Sequence, residues 1–102
     1  MDSSDKDGAI ESRLVRVWGR VQGVGYRQAC IRHARSLGIT GWVRNRMDRS
    51  VEVMLQGSPA QLADMCSWLR HGIPTAVVDE LEDMKVPLPV PRFDQFDRLP
   101  TL

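Results

Sequence analysis

An α+β sandwich, with two helices on one face of an antiparallel sheet, follows from three observations on this 102-residue sequence. Apolar residues recur with period two in four separate stretches, the pattern of half-buried strands. Two further stretches carry helical spacing bounded by start and stop residues. The order of all six is β-α-β-β-α-β, which is the order of a ferredoxin-like sandwich.

From Arg13 the chain reads RLVRVWGRV, with Val15, Val17 and Val21 on one side together with Gly19. Helical spacing begins near Tyr26 and continues through Cys30, Ala34 and Leu37, and Gly38 supplies a C-terminal stop. The run ITGWVRN then places Ile39, Gly41 and Val43 on one side, and VEVMLQG does the same with Val51, Val53 and Leu55. Only the polar RMDRS separates these two runs, so they are expected to form a hairpin. In SPAQLADMCSWLRHG, Ser58 is an N-cap, Pro59 fits the first helical position and Gln61 completes a capping box. Leu62, Met65, Cys66 and Leu69 form its apolar stripe, and Gly72 closes the helix. After Pro74, AVVDELEDMKV reads as a fourth strand. The proline-rich PLPVPRFDQFDRL has two phenylalanines three apart and no clean alternation, so a fifth strand within 92–102 stays open.

With 42% hydrophobic and 26% charged residues, the composition is that of a globular domain able to bury one core without metal or disulfide staples. Apolar runs are too short for a membrane span, and no membrane association is expected. The opening MDSSDKDGAIES is polar and acidic and lacks a signal-peptide core, so residues 1–12 read as a disordered tail ahead of a single domain over 13–102. Cys30 and Cys66 read as buried free thiols of a cytoplasmic protein, and no CxxC or HxxxH spacing suggests a metal site.

The net charge of +1 is unevenly laid out. Nine arginines and one acid, Asp48, fall between Arg13 and Arg49, against −3 in the first twelve residues and −4 from Ser50 onward. Such a block reads as a nucleic-acid surface, an anion site or a solvated face. His33 and His71 read as structural, and Trp18, Trp42 and Trp68 as covers for the core or the sheet.

Within that block, GRVQGVGYR (residues 19–27) links a strand to a helix. A nucleotide P-loop would need GxxxxGK, and no lysine is near. A dinucleotide fingerprint would need a third glycine at position 28, which is Gln. What remains is a glycine turn at a helix N-terminus with Arg27 in the first turn, where free N–H groups and the helix dipole favour an anion. The same residues also read as a tight turn with a solvated arginine. Asn45, at the end of GWVRN, is either a turn residue or an amide able to hold a water beside an anion.

Taken together the two stretches resemble the acylphosphatase family. Gly19, Val21, Gln22, Gly23, Val24, Tyr26 and Arg27 match its first signature. Gly41, Trp42, Val43, Arg44, Asn45, Val51 and Gly57 match its second, and the likeness covers about Arg13 to Leu81. The resemblance implies hydrolysis of a small acyl phosphate to a carboxylate and inorganic phosphate, with no metal or other cofactor and no covalent intermediate. It gives phosphate binding to Arg27 and to backbone N–H groups of Gln22, Gly23, Val24, Gly25 and Tyr26, and water positioning to Asn45. Neither motif holds a histidine, or a nucleophile with an adjacent base, which fits catalysis by positioning. The other arginines, Arg16, Arg20, Arg32, Arg35, Arg44 and Arg46, are expected only to raise the local potential.

Three departures stand out. Arg49 occupies a hairpin position where the family usually has glycine, so another turn type is expected there. Position 26 is Tyr, where Phe is commoner, and the C-terminal segment matches the family's last strand poorly. The alternative readings are an RNA-binding module of the same fold, which would need stacking aromatics the strands lack, or a non-catalytic phosphate-ligand domain. The expected form is a monomer without nucleic-acid partners.

Overall fold

Five strands and two helices make up the computed structural model, which describes residues 10–87 and 90–102. They run β1 (Glu11–Arg20), α1 (Tyr26–Ser36), β2 (Thr40–Asn45), β3 (Val51–Gly57), α2 (Pro59–His71), β4 (Val77–Lys85) and β5 (Phe96–Arg98). The first strand begins two residues before Arg13, because Glu11 and Ser12 already pair with Gly57 and Gln56 of β3. The tail expected over 1–12 otherwise falls outside the described residues up to position 9.

The strand order is β4-β1-β3-β2-β5, and β1, β2, β3 and β4 pair antiparallel as expected. The sheet as a whole is mixed, which corrects the antiparallel expectation: β5 lies parallel to β2. The reason is the route of the connecting segment. After Val86 donates to the Ser12 carbonyl, the chain crosses the end of the sheet past Gln56 and enters β5 at the end where β2 begins. Gln56 holds that crossing, with Nε2 donating to the Pro91 carbonyl (2.6 Å) and Oε1 accepting from Phe93 N–H (3.0 Å).

Both helices lie on the face formed by Val15, Val17, Val43, Val53 and Leu55, all fully buried. They run antiparallel and are tied at both ends. Near one end Gln61 Nε2 donates to the Leu37 carbonyl (2.7 Å), and near the other the Tyr26 hydroxyl donates to the Leu69 carbonyl (2.7 Å). α1 ends in a Schellman arrangement, with Gly38 N–H bonded to Arg35 O and Ile39 N–H to Ala34 O. α2 starts with the predicted capping box on Ser58 and Pro59. Cys30 is buried, Cys66 is only half-buried, and both are free thiols.

The opposite sheet face carries charge. Glu52 is buried there and takes Arg44 (2.8 Å), Arg46 (3.2 Å) and Arg16 (3.3 Å), while Arg13 pairs with Asp83 (2.8 Å). Burial pulls the Glu52 carboxyl upward, but the three guanidinium groups outweigh it and hold its pKa below the usual range. Four of the block's nine arginines are therefore engaged by carboxylates within the fold.

Candidate active site

The sequence leaves α1 with an unfinished start. Gly25 is its N-cap residue, with φ 80° and ψ 15°, and carries no capping side chain; the first turn holds no acid. The first helical bond to Gly25 is made by Ala29 N–H (3.1 Å), so the N–H groups of Tyr26, Arg27 and Gln28 point out of the helix end. Gly23, two residues earlier, also has positive φ (76°), and between them these glycines fold the loop back so that its backbone faces the helix terminus.

This end of α1 meets the end of β2. A cavity of about 100 Å³ is lined by Gln22, Gly23, Gly25, Tyr26, Arg27 and Asn45, joined by Val21, Gln28 and Arg98. That is well below the roughly 300–1,000 Å³ of pockets that hold larger ligands. Val24 turns away from it. Its carbonyl accepts the Thr75 hydroxyl (3.0 Å), and its side chain packs against the core.

Gln22 brings the two halves together. Its Nε2 donates to the carbonyls of Arg46 (2.9 Å) and Ser50 (2.8 Å), so the glycine loop is clamped to the hairpin that follows Asn45. The hairpin tip is itself pinned. Arg46 and Ser50 pair across it (2.9 Å), Arg49 N–H bonds to Arg46 O (3.0 Å), and Asp48 Oδ1 accepts from the Ser50 backbone (2.9 Å) and hydroxyl. Arg49 adopts φ 76°, the left-handed conformation, which corrects the expectation of a different turn. A three-residue loop of this kind requires one left-handed residue, and the surrounding bonds hold the arginine there at some cost in strain.

Among the described residues two buried side-chain atoms have no hydrogen-bond partner, Asn45 Oδ1 and Arg46 Nε, and of these two residues only Asn45 lines the cavity. Arg27 is likewise free of any ion pair among the described residues, in contrast to Arg13, Arg16, Arg44 and Arg46. Burial, and then the nearby charge of Arg98, hold its pKa below the ordinary arginine value, though it remains protonated. The Tyr26 phenol is not part of the cavity chemistry. Burial pushes its pKa up, and its hydroxyl is committed to Leu69.

Arg98 is the lining residue that sequence reading missed, because the C-terminal segment lacks clean alternation. The one available signal was that Arg98 shares a period-two phase with Phe96, which is fully buried. His33 stacks on Trp68 (ring centroids 4.3 Å apart) on the α1–α2 side, away from the cavity. Among the described residues, no cluster of His, Cys, Asp or Glu is arranged to hold a metal ion.

Comparison with known proteins bears directly on this arrangement. The family model described as Acylphosphatase matches residues 14–97, well past Leu81 and into β5. The chain is 61% identical over 102 residues to Acylphosphatase 1 of Ralstonia nicotianae, with both chains fully covered. It is 68% identical over 99 residues to an acylphosphatase of Polaromonas naphthalenivorans, covering 97% of this chain and 98% of that one. The solved structure of an acylphosphatase from Coxiella burnetii superposes with a TM-score of 0.85 at 28% identity, covering 94% of this chain and 99% of the other.

Proposed function

The chain belongs to the acylphosphatase family and hydrolyses acyl phosphates, and from that premise we propose that the small cavity between α1 and β2 is where the phosphoryl group is held and attacked. The observation that carries the assignment is the buried, unpartnered Oδ1 of Asn45, a residue that lines the same cavity as Arg27 and the uncapped first turn of α1. An orphaned buried acceptor is costly, and a bound water would satisfy it.

In this reading the phosphoryl oxygens accept from backbone N–H groups of the loop Gln22–Gly25, from Tyr26 in the first helical turn, and from the Arg27 guanidinium. Asn45 Oδ1 accepts one hydrogen of a water and turns its lone pair toward phosphorus. The water oxygen bonds to phosphorus as the bond from phosphorus to the acyl oxygen breaks. The carboxylate leaves with that electron pair, and a phosphoryl oxygen takes the water's proton, giving inorganic phosphate. None of the cavity-lining residues is a histidine or a carboxylate that could act as base, and an acyl phosphate has a good leaving group. Positioning and charge stabilisation are thus sufficient. The acyl group has room in an adjoining hollow of about 530 Å³, which shares Val21 and Gln22 with the phosphoryl cavity.

We also infer a cytoplasmic monomer formed by one domain, acting on small acyl phosphates and not on nucleic acid. Free thiols fit a reducing compartment. The edge strand β4 carries Asp79, Glu80, Glu82 and Asp83, which discourage edge-to-edge pairing. Three arginines of the open face, Arg16, Arg44 and Arg46, are engaged by Glu52. No helix among the described residues is long and apolar enough to cross a membrane.

The test is phosphate release from acetyl or benzoyl phosphate with a chelator present, comparing the parent with Asn45→Ala. Turnover is expected to fall by about 10²–10³ while inhibition by inorganic phosphate stays near the parent value. A parent-like rate would remove Asn45 from the mechanism.

A further inference from the structure

Two arginines line this one small cavity, and neither has an acidic partner among the described residues. Arg27 comes from α1 and Arg98 from β5, brought together by the parallel pairing of β5 with β2, which sets Val43 beside Arg98. Four other arginines are held differently. Arg13, Arg16, Arg44 and Arg46 each meet a carboxylate within 3.3 Å. Arg98 has only a long contact to Gln28 Oε1 (3.4 Å), a tether at the rim that leaves most of its donors unused. Like charges so placed repel each other unless an anion lies between them. The charge of Arg98 adds to burial in holding Arg27 below its ordinary pKa.

The geometry points to Arg98 as a second phosphoryl-binding guanidinium, closing the cradle from β5 opposite Arg27 so that the site takes the phosphoryl dianion. The inference rests on the reading of this cavity as the phosphoryl site. In the free enzyme Gln28 holds the Arg98 side chain near the mouth. In the complex the guanidinium donates to a phosphoryl oxygen on the side not served by the backbone N–H groups. Its contribution is to binding, made equally to substrate and to the phosphate product.

The experiment measures KM and kcat for acetyl phosphate, and the inhibition constant of inorganic phosphate, for Arg98→Gln and Arg98→Lys. Arg32→Gln removes an exposed arginine of α1 that lines neither the phosphoryl cavity nor the acyl hollow, and Arg27→Ala probes the cradle itself. Arg98 is exposed, so matching thermal melts are expected for its variants. Arg98→Gln should raise both KM and the phosphate inhibition constant about tenfold, the scale of one lost charge-assisted hydrogen bond, with kcat changed less than threefold. Arg98→Lys should recover most of that loss, and Arg32→Gln should cause little. An inhibition constant within about twofold of the parent for Arg98→Gln, with a large rise for Arg27→Ala, would overturn the role of Arg98 alone. Equal losses for Arg98→Gln and Arg32→Gln would reduce Arg98 to a diffuse field and overturn direct contact. No change even for Arg27→Ala would overturn the phosphoryl site and this inference with it.

Discussion

Helix α2 starts on Ser58, whose hydroxyl accepts from Gln61 N–H (3.2 Å) and whose own N–H donates to Gln61 Oε1 (2.8 Å). Helix α1 starts on Gly25, which offers no side chain at all. Both helices follow a strand in the same β-α-β pattern and pack on the same sheet face, so their surroundings are alike. At α2 the orphan donors that every helix end exposes are met from within, and Pro59 removes one of them outright. At α1 they are left to converge on a cavity that also receives Arg27 and Asn45. One start is built for stability. The other leaves its donors open, as the proposed phosphoryl site requires.

The contrast can be broken most severely at Arg27. Arg27→Ala is expected to lower turnover about 10²–10³-fold and to abolish phosphate inhibition in the millimolar range, with little change in melting temperature, because its head group has no ion pair among the described residues. Steady-state kinetics with a phosphate titration would check this, and near-parent inhibition would contradict it. A subtler test makes α1 resemble α2 by giving it an anion of its own. Gly25→Asp tolerates the left-handed backbone better than most residues and places a carboxylate beside the free N–H groups. Phosphate inhibition should weaken at least tenfold, while stability shifts by no more than about 1 kcal/mol. Unchanged inhibition would show that these donors do not face the phosphate. The smallest effect on catalysis belongs to the closed start. Ser58→Ala should cost about 1 kcal/mol, seen as a melting temperature lower by roughly 4–8 °C, with turnover unchanged. A loss of activity there would mean that the two starts are coupled.

That contrast was half legible in the sequence. The Ser58, Pro59 and Gln61 pattern names a closed start without any structure, because capping is local. Gly23, Gly25 and Arg27 name an open one only when nearby acids and capping side chains are seen to be missing. What sequence could not supply was the partner across the cavity. The glycine loop is tied to the hairpin after Asn45 by Gln22, which reaches residues 24 and 28 positions away, a distance along the chain that no periodicity reports. β5 was obscure for a related reason. It is three residues long and is held by one buried phenylalanine, by Arg35 donating to the Phe96 carbonyl (3.0 Å), and by Gln56 gripping the crossing that leads to it. None of these is an alternation. Arg49 misled in the opposite direction: intrinsic backbone preference argued against positive φ, and the bonds of Asp48 and Ser50 overrode it.

The bond between the Tyr26 hydroxyl and the Leu69 carbonyl also gives the protein an optical label at a useful place. Tyr26 is the only tyrosine in the chain, is fully buried, and lies between Gly25 and Arg27 in the cradle segment. Burial keeps its phenol protonated well beyond the pH at which a free tyrosine ionises. The absorbance change of tyrosinate therefore stays silent in the native state and appears only when α1 and α2 part. One chromophore, already in the sequence, reports whether the helix that carries the proposed phosphate site is still seated on its partner.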